Sequence, residues 1–227
     1  VTLAWLTGAS RGIGRATALH LARRGTDLVL LGRRSTLLET VSRAIADLGV
    51  AATLAEAELT DAEATVRACH EQLERGGAPD AVINIAAVVQ REPIETLSLD
   101  SWDRQIAVNL RAPYLITREV LPAMRAKRNG RIVHVASISS TLGTANAAAY
   151  CASKWGLVGF MKSLAEELRD SGMMTVAVLP GSTDTEMLQG SGFAPRMSPE
   201  EVACTLVHYA LDAPLAHNGS VIEMFGV

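Results

Sequence analysis

Leu3-Ala4-Trp5-Leu6-Thr7-Gly8-Ala9-Ser10-Arg11-Gly12-Ile13-Gly14 is the stretch that decides the fold. An apolar run of strand length ends in a glycine-studded turn, and a helical pattern opens near Ile13. Gly8, Gly12 and Gly14 fall in the turn and the first helical turn. Glycines there let the backbone bend tightly and approach a pyrophosphate, while the helix N-terminus supplies partial positive charge. The strand before and the helix after separate a dinucleotide cradle from glycines that merely make a turn. Ser10, Arg11 and Ile13 complete the candidate cradle.

Outward from this segment, short apolar runs alternate with amphipathic stretches. The pattern predicts strands at 2–7, 27–32, 51–56, 80–86, 130–136, 173–179 and 219–224. Helices are predicted near 13–24, 35–48, 61–75, 101–127, 149–170 and 198–211. Such alternation implies parallel pairing through right-handed crossovers. The expected fold class is α/β: a doubly wound, parallel, seven-stranded sheet with helices on both faces, in a single domain spanning 1–227. Ligands of such sheets bind at the carboxyl ends of the strands, where strand order reverses. Thr60 with Glu63, and Ser198 with Pro199 and Glu201, both read as capped helix starts.

Composition narrows the function classes. Hydrophobic residues make up 48% and charged residues 20%, which suits an ordinary globule, and the net charge of −3 without a basic block argues against nucleic acid or membrane partners. Cys69, Cys151 and Cys204 form no C-x-x-C pair, and the histidines lack ligand spacing, so neither a disulfide scaffold nor a metal site is expected. No apolar run reaches the roughly 18 residues that span a bilayer, and no leader pattern precedes Leu3. A cytoplasmic, reducing location is the expectation.

Cofactor choice should be set about 20 residues beyond the glycine turn, at the end of the second strand. An acid there would select NAD by accepting from the ribose. This chain has Leu31-Gly32-Arg33-Arg34 instead. Two guanidiniums, with Arg11 inside the turn, are available for a 2′-phosphate, and charge-assisted bonds contribute about 1.5–3 kcal/mol each. NADP(H) is therefore expected over NAD(H).

Tyr150 and Lys154 lie on one face of a helix by their four-residue spacing. Reducing a carbonyl needs a proton for its oxygen, and a tyrosine hydroxyl with a reference pKa of about 10 releases one reluctantly near neutrality. A neighbouring ammonium is expected to lower that pKa; a drop of two or three units takes roughly 3–4 kcal/mol. Ser137, at the end of the run Ile132-Val133-His134-Val135-Ala136, can polarise the substrate oxygen. Ser139 competes with it, because strand alternation points both to the same side.

Thr7-Gly8-x-x-x-Gly12-x-Gly14, Asn109, Ser137, Tyr150-x-x-x-Lys154 and Pro180-Gly181-x-x-x-Thr185 together resemble the short-chain dehydrogenase/reductase superfamily, in its compact single-domain branch, over essentially the whole chain. The resemblance implies a Rossmann-like fold, an oxidoreductase acting between CH–OH and C=O, and a homodimer or homotetramer. It makes Asn109, Ser137, Tyr150 and Lys154 the catalytic set, with Lys154 on the nicotinamide ribose and Asn109 helping to hold a water that links Lys154 to solvent. It further implies cofactor contacts from Glu58 and Leu59 near the adenine, from Asn84 and Ala86 after the fourth strand, and from Pro180, Gly181, Thr183 and Thr185 near the nicotinamide. One departure stands out. Asn84-Ile85-Ala86-Ala87 replaces the common Asn-Asn-Ala-Gly, and a methyl at Ala87 is expected to crowd the cofactor ribose.

The loop from Ser182 to Met197 should cover the substrate, with Met187 and Leu188 facing Val88 and Ser139 across the cleft. Such walls favour a small or medium, largely apolar ketone, aldehyde or secondary alcohol. A carrier-bound 3-oxoacyl thioester is the alternative enzyme reading, with Arg91, Arg125, Lys127 and Arg128 as candidates for an acidic carrier. A nucleotide-sensing protein without turnover is the rival from another class. An epimerase or dehydratase needs a larger substrate domain than 227 residues leave.

Overall fold

The computed structural model describes residues 2–226. Its strands are β1 (Leu3–Thr7), β2 (Asp27–Gly32), β3 (Ala52–Glu56), β4 (Ala81–Asn84), β5 (Gly130–Val135), β6 (Met173–Pro180) and β7 (Val221–Met224). The helices are α1 (Gly12–Arg23), α2 (Thr36–Ala46), α3 (Ala62–Gly76), α4 (Leu99–Ile106), α5 (Ala112–Lys127), α6 (Ala148–Glu167) and α7 (Pro199–Leu211). All strands pair parallel in one sheet, in the order β3-β2-β1-β4-β5-β6-β7. Chain order therefore reverses between β1 and β4, and that switch point opens the crevice at the carboxyl ends of the strands.

Alternation along each strand feeds two cores. Ala4, Leu6, Leu28, Leu30, Ala81 and Ile83 point to the face covered by α1, α2 and α7, where Leu21, Val41 and Leu206 meet them. Trp5, Val29, Leu31 and Val82 point to the opposite face, against Cys69 of α3, Ile116 of α5 and Leu164 of α6. A strand buried on both faces must be apolar at every position, which is why these runs read as continuous rather than alternating.

Helix starts follow their capping residues, with one correction. Ser198 and Glu201 form the expected reciprocal box at the head of α7, with Pro199 in the first turn. At α3 the cap is Asp61, whose carboxylate accepts from the Ala64 N–H at 3.0 Å. Thr60 instead donates to the Glu58 carboxylate at 3.0 Å. An aspartate one position later brings a full negative charge to the helix start and takes the N–H of Ala64, so the helix begins one residue later.

The stretch predicted as one helix over 101–127 is divided. α4 and α5 are joined by a π-helical turn, Ala107–Arg111. Pro113 has no N–H to offer the Asn109 carbonyl four residues earlier, so the α-helical ladder loses a bond at that point and widens. Asn109 sits inside the widened turn.

At the switch point the two central strands are tied by a side chain. Thr7 Oγ1, at the end of β1, accepts from the backbone N–H groups of Ile85 (3.0 Å) and Ala86 (3.1 Å) just after β4.

Candidate active site

A single cleft of about 1920 Å³ runs along the carboxyl edge of the sheet, from the glycine turn to the loop after β6. At its first end, Gly8 (φ 74°) and Gly12 (φ 51°) adopt left-handed backbone that disfavours a side chain. A Cβ on Gly8 would lie 2.8 Å from the Ala86 backbone, and one on Gly14 only 1.9 Å from the Gly8 carbonyl oxygen. The turn is thus folded against the chain behind it, and its open side faces the cleft. α1 begins there with no side-chain cap and no acid in its first turn, which leaves its N–H groups and partial positive charge for an anion. Ser10, Arg11 and Ile13 line the same wall. A dinucleotide pyrophosphate fits this cradle.

The three arginines expected to read a 2′-phosphate stand at the rim. Arg33 and Arg34 are 73% and 67% exposed at the side chain. Each faces an acid: Arg33 lies 3.8 Å from Glu58, Arg34 2.8 Å from Glu39, and Arg11 pairs with Glu186 across the cleft. Exposed pairs of this kind are worth about 0–1 kcal/mol, so a phosphate dianion can compete for the same guanidiniums. Leu59 is buried beside this rim, and Glu58 is held by Thr60 and Arg33. Asn84 lies elsewhere. Its side chain is buried outside the cleft lining, with Nδ2 3.3 Å from His134 Nδ1. As the last residue of β4 it points into the sheet, while Ile85, Ala86 and Ala87 turn toward the cleft.

Ser137, Tyr150 and Lys154 converge midway along the cleft. Ser137 follows β5 and caps the short turn Ile138–Ser140, its Oγ accepting from the Ser139 N–H at 3.1 Å. Its own hydroxyl proton remains to donate. Lys154 is 1% exposed, its Nζ donating to the Val135 carbonyl at 2.7 Å and lying 5.7 Å from the Tyr150 ring centre. Burial brings the Lys154 pKa down to about 7.

The expectation that Lys154 lowers the Tyr150 pKa is corrected. Burial raises Tyr150, and what opposes it is the Ser137 side chain and the charge of Arg91. Burial of the phenol is the largest influence on it and outweighs the groups that favour the phenolate.

Asn109 is fully buried and stays off the cleft surface. Its carboxamide accepts from Val88 N–H (2.8 Å) and donates to Val88 O (2.9 Å) and to Ser153 Oγ (3.0 Å). Ser153 in turn donates to the Tyr150 carbonyl at 2.7 Å. The π-helical turn is therefore pinned both to the loop after β4 and to the helix carrying Tyr150. Sequence reasoning missed Ser153, although it lies between Tyr150 and Lys154. It also missed Arg91, which reads as one of the surface cations but lines the cleft.

The far wall is the loop after β6. Pro180 ends that strand, the Gly181 N–H donates to the Met224 carbonyl at 2.8 Å, and Thr183 is buried in a bridge to Met197. Thr185 reaches back so that its methyl would touch a Cβ on Gly12 at 3.0 Å. Met187 and Leu188 lie in a short helical turn beyond it and line the cleft, as do Val88, Ser139 and Leu142.

His134, on β5, is fully buried, with its ring edge-on to Phe160 at 5.6 Å. Burial, then the Lys154 charge, pulls its pKa from 6.5 to about 3. Between those values the unfolded chain binds a proton that the folded chain does not, so this group lowers stability as pH falls from 6.5 toward 3. The slope is about 1.4 kcal/mol per pH unit for one proton. His134→Asn should flatten that slope in denaturant titrations spanning roughly pH 6.5 to 4.5. Equal slopes in variant and wild type would mean His134 is not held neutral.

Three comparisons bear on this site. The family model for short chain dehydrogenase matches residues 2–193. The chain is 32% identical over 225 residues to a 3-oxoacyl-[acyl-carrier-protein] reductase of Synechocystis sp., covering 95% of this chain and 91% of that one. It is 33% identical over 198 residues to trans-4-hydroxycyclohexanecarboxylate dehydrogenase of Sinomonas cyclohexanicum, covering 83% and 74%. Among solved structures, levodione reductase superposes with a TM-score of 0.92 at 25% identity, over 99% of this chain and 96% of that one.

Proposed function

The chain belongs to the short-chain dehydrogenase family, and from that premise we propose that it is an NADP(H)-dependent oxidoreductase interconverting a small or medium, largely apolar carbonyl compound and its secondary alcohol. The observation that carries the reading is the placement of Tyr150, Ser137 and Lys154 in the same cleft as the glycine cradle. When bound, the nicotinamide supplies or accepts the hydride. The Tyr150 hydroxyl gives its proton to the carbonyl oxygen, or takes one from the alcohol. Ser137, whose oxygen is already engaged by the Ser139 N–H, donates its hydroxyl proton to the same substrate oxygen and holds it in place. Lys154 spends one N–H on Val135 and keeps two for the ribose side and for the phenolate that forms. Asn109 keeps the loop after β4 and the head of α6 in register with both.

The cofactor preference rests on Arg11, Arg33 and Arg34 at a rim whose β2 end offers no acid in the position that selects NAD. Titration of the protein with NADPH and NADH, followed by nicotinamide fluorescence, tests it. NADPH should bind at least about tenfold tighter, and the double variant Arg33→Ala/Arg34→Ala should erase most of that difference while NADH affinity stays put. Equal affinity for both in the wild type would remove the phosphate clamp but keep the enzyme. Binding of neither would withdraw the oxidoreductase reading.

The carrier-reductase relative supports a second substrate class, a 3-oxoacyl thioester whose carrier stays outside the cleft. Exposed Trp155 and Tyr114 on α6 and α5, and Phe225 beyond β7, support self-association through those faces. One continuous sheet among the described residues favours treating the chain as a single unit.

A further inference from the structure

The charge pattern along the cleft is uneven. At the cofactor end every guanidinium expected to bind phosphate already faces a carboxylate: Glu186, Glu58 or Glu39. Arg91, half-buried on the loop after β4, differs. Among the described residues no carboxylate lies within 4.0 Å of it. Its contacts are two backbone carbonyls of the opposite wall, Met187 at 3.2 Å and Gln189 at 3.5 Å, the second long for a hydrogen bond. Asp184 and Glu186, on that same loop, leave it alone; Glu186 is turned to Arg11.

A guanidinium has five N–H donors, and the two carbonyl contacts, one from each terminal nitrogen, leave three N–H groups for a ligand. The Arg91 charge reaches the catalytic phenol, since it is one of the influences opposing the upward shift of Tyr150. Val88, Leu142, Met187 and Leu188 line the same cleft, among polar neighbours that include Gln90, Ser139 and Gln189. The cleft therefore offers a proton donor at one point, apolar side chains beyond it, and on the loop after β4 a cation with no carboxylate within 4.0 Å.

We propose that Arg91 selects substrates that carry a carboxylate, so that the cleft takes oxo acids and the corresponding hydroxy acids rather than neutral ketones. The proposal deepens the oxidoreductase reading and rests on Tyr150 and Ser137 marking the carbonyl end. In the reduction, a hydride from NADPH forms the new C–H bond as the C=O π bond breaks. The oxygen takes the Tyr150 proton, the ketone is reduced to the alcohol and the cofactor is oxidised. The carboxylate is unchanged throughout, held by two parallel N–H···O bonds.

Linear methyl-ketone acids from 4-oxopentanoate to 7-oxooctanoate, each set against its own neutral amide, test this without assuming a chain length. Binding is read by calorimetry on the protein with NADP+ and, separately, without it. Reduction is read by NADPH absorbance. At one chain length the acid should bind at least about tenfold tighter than the amide. That ratio should fall to near one in Arg91→Gln and survive in part in Arg91→Lys, a point charge without the fork. Equal affinity of acid and amide in the wild type, binding of neither, or an unchanged ratio in a folded Arg91→Gln would overturn the proposal and leave Arg91 as a staple between the two walls. The acid preference in binding without any reduction would keep the anion site and sink the oxidoreductase reading instead. Reduction of both forms with no acid preference would do the reverse.

Discussion

Tyr150→Phe should reduce turnover by about 10²–10⁴-fold while NADPH binds within about twofold of wild type. The substitution removes one oxygen and nothing else. The phenyl ring keeps its place on α6, Lys154 keeps its bond to the Val135 carbonyl, and Ser137 stays anchored by the Ser139 N–H. What disappears is the group that delivers a proton as the hydride arrives, so the loss falls on kcat rather than KM. Steady-state kinetics with any substrate the wild type reduces, alongside a cofactor titration, separates the two effects. Retention of a tenth or more of wild-type kcat would assign the proton to another group. A lost cofactor affinity would mean the phenol is a binding residue.

Gly14→Ala should abolish measurable NADPH binding, a loss of at least about 100-fold, and destabilise the fold by about 1–3 kcal/mol. The added Cβ would stand 1.9 Å from the Gly8 carbonyl oxygen and 2.6 Å from its carbon. Both are backbone atoms, so the clash cannot be relieved by a rotamer. The turn must move away from α1, and Gly8 is itself pressed against the Ala86 backbone behind it. Gly159→Ala is the control. It lies on α6 with nothing within 4 Å of where an added methyl would stand, and alanine favours a helix by about 1 kcal/mol over glycine. Fluorescence titration and thermal melting should show the first variant impaired in both respects and the second in neither. Normal cofactor binding by Gly14→Ala would mean the turn is not the pyrophosphate site.

The sheet was legible because its physical signal is redundant. Residues such as Ala81-Val82-Ile83 are apolar on both faces, and Pro79 and Asp80 mark where they begin. The convergence of Ser137, Tyr150 and Lys154 was legible because two of them share a helix face and the third ends a neighbouring strand. Other features depend on competition between local groups. Asp61 and Thr60 both qualify as caps; the charged Asp61 takes the helix start and the Thr60 hydroxyl donates to Glu58 instead. The π-helical turn around Asn109 leaves a trace only in Pro113, a residue that also suits an ordinary first turn. The direction of the Tyr150 shift could not be read from spacing, because it is set by how deeply the phenol itself is buried. Arg91 was visible as a cation but not as a lining residue, since that depends on how the loops after β4 and β6 meet.

The Thr7 hydroxyl, with its two amide donors from residues 85 and 86, makes the cofactor turn and the wall that leads to Arg91 a single rigid jaw. The opposing jaw is built differently: its tip carries Gly190 and Gly192 at positive φ, with open space around both. Substitutions on the glycine-bearing side leave the Thr7-tied side in place, so the site can be re-fitted to new ligands from that side alone. Variants of residues 186–193 should accordingly change which molecules are accepted long before they change how the accepted ones react.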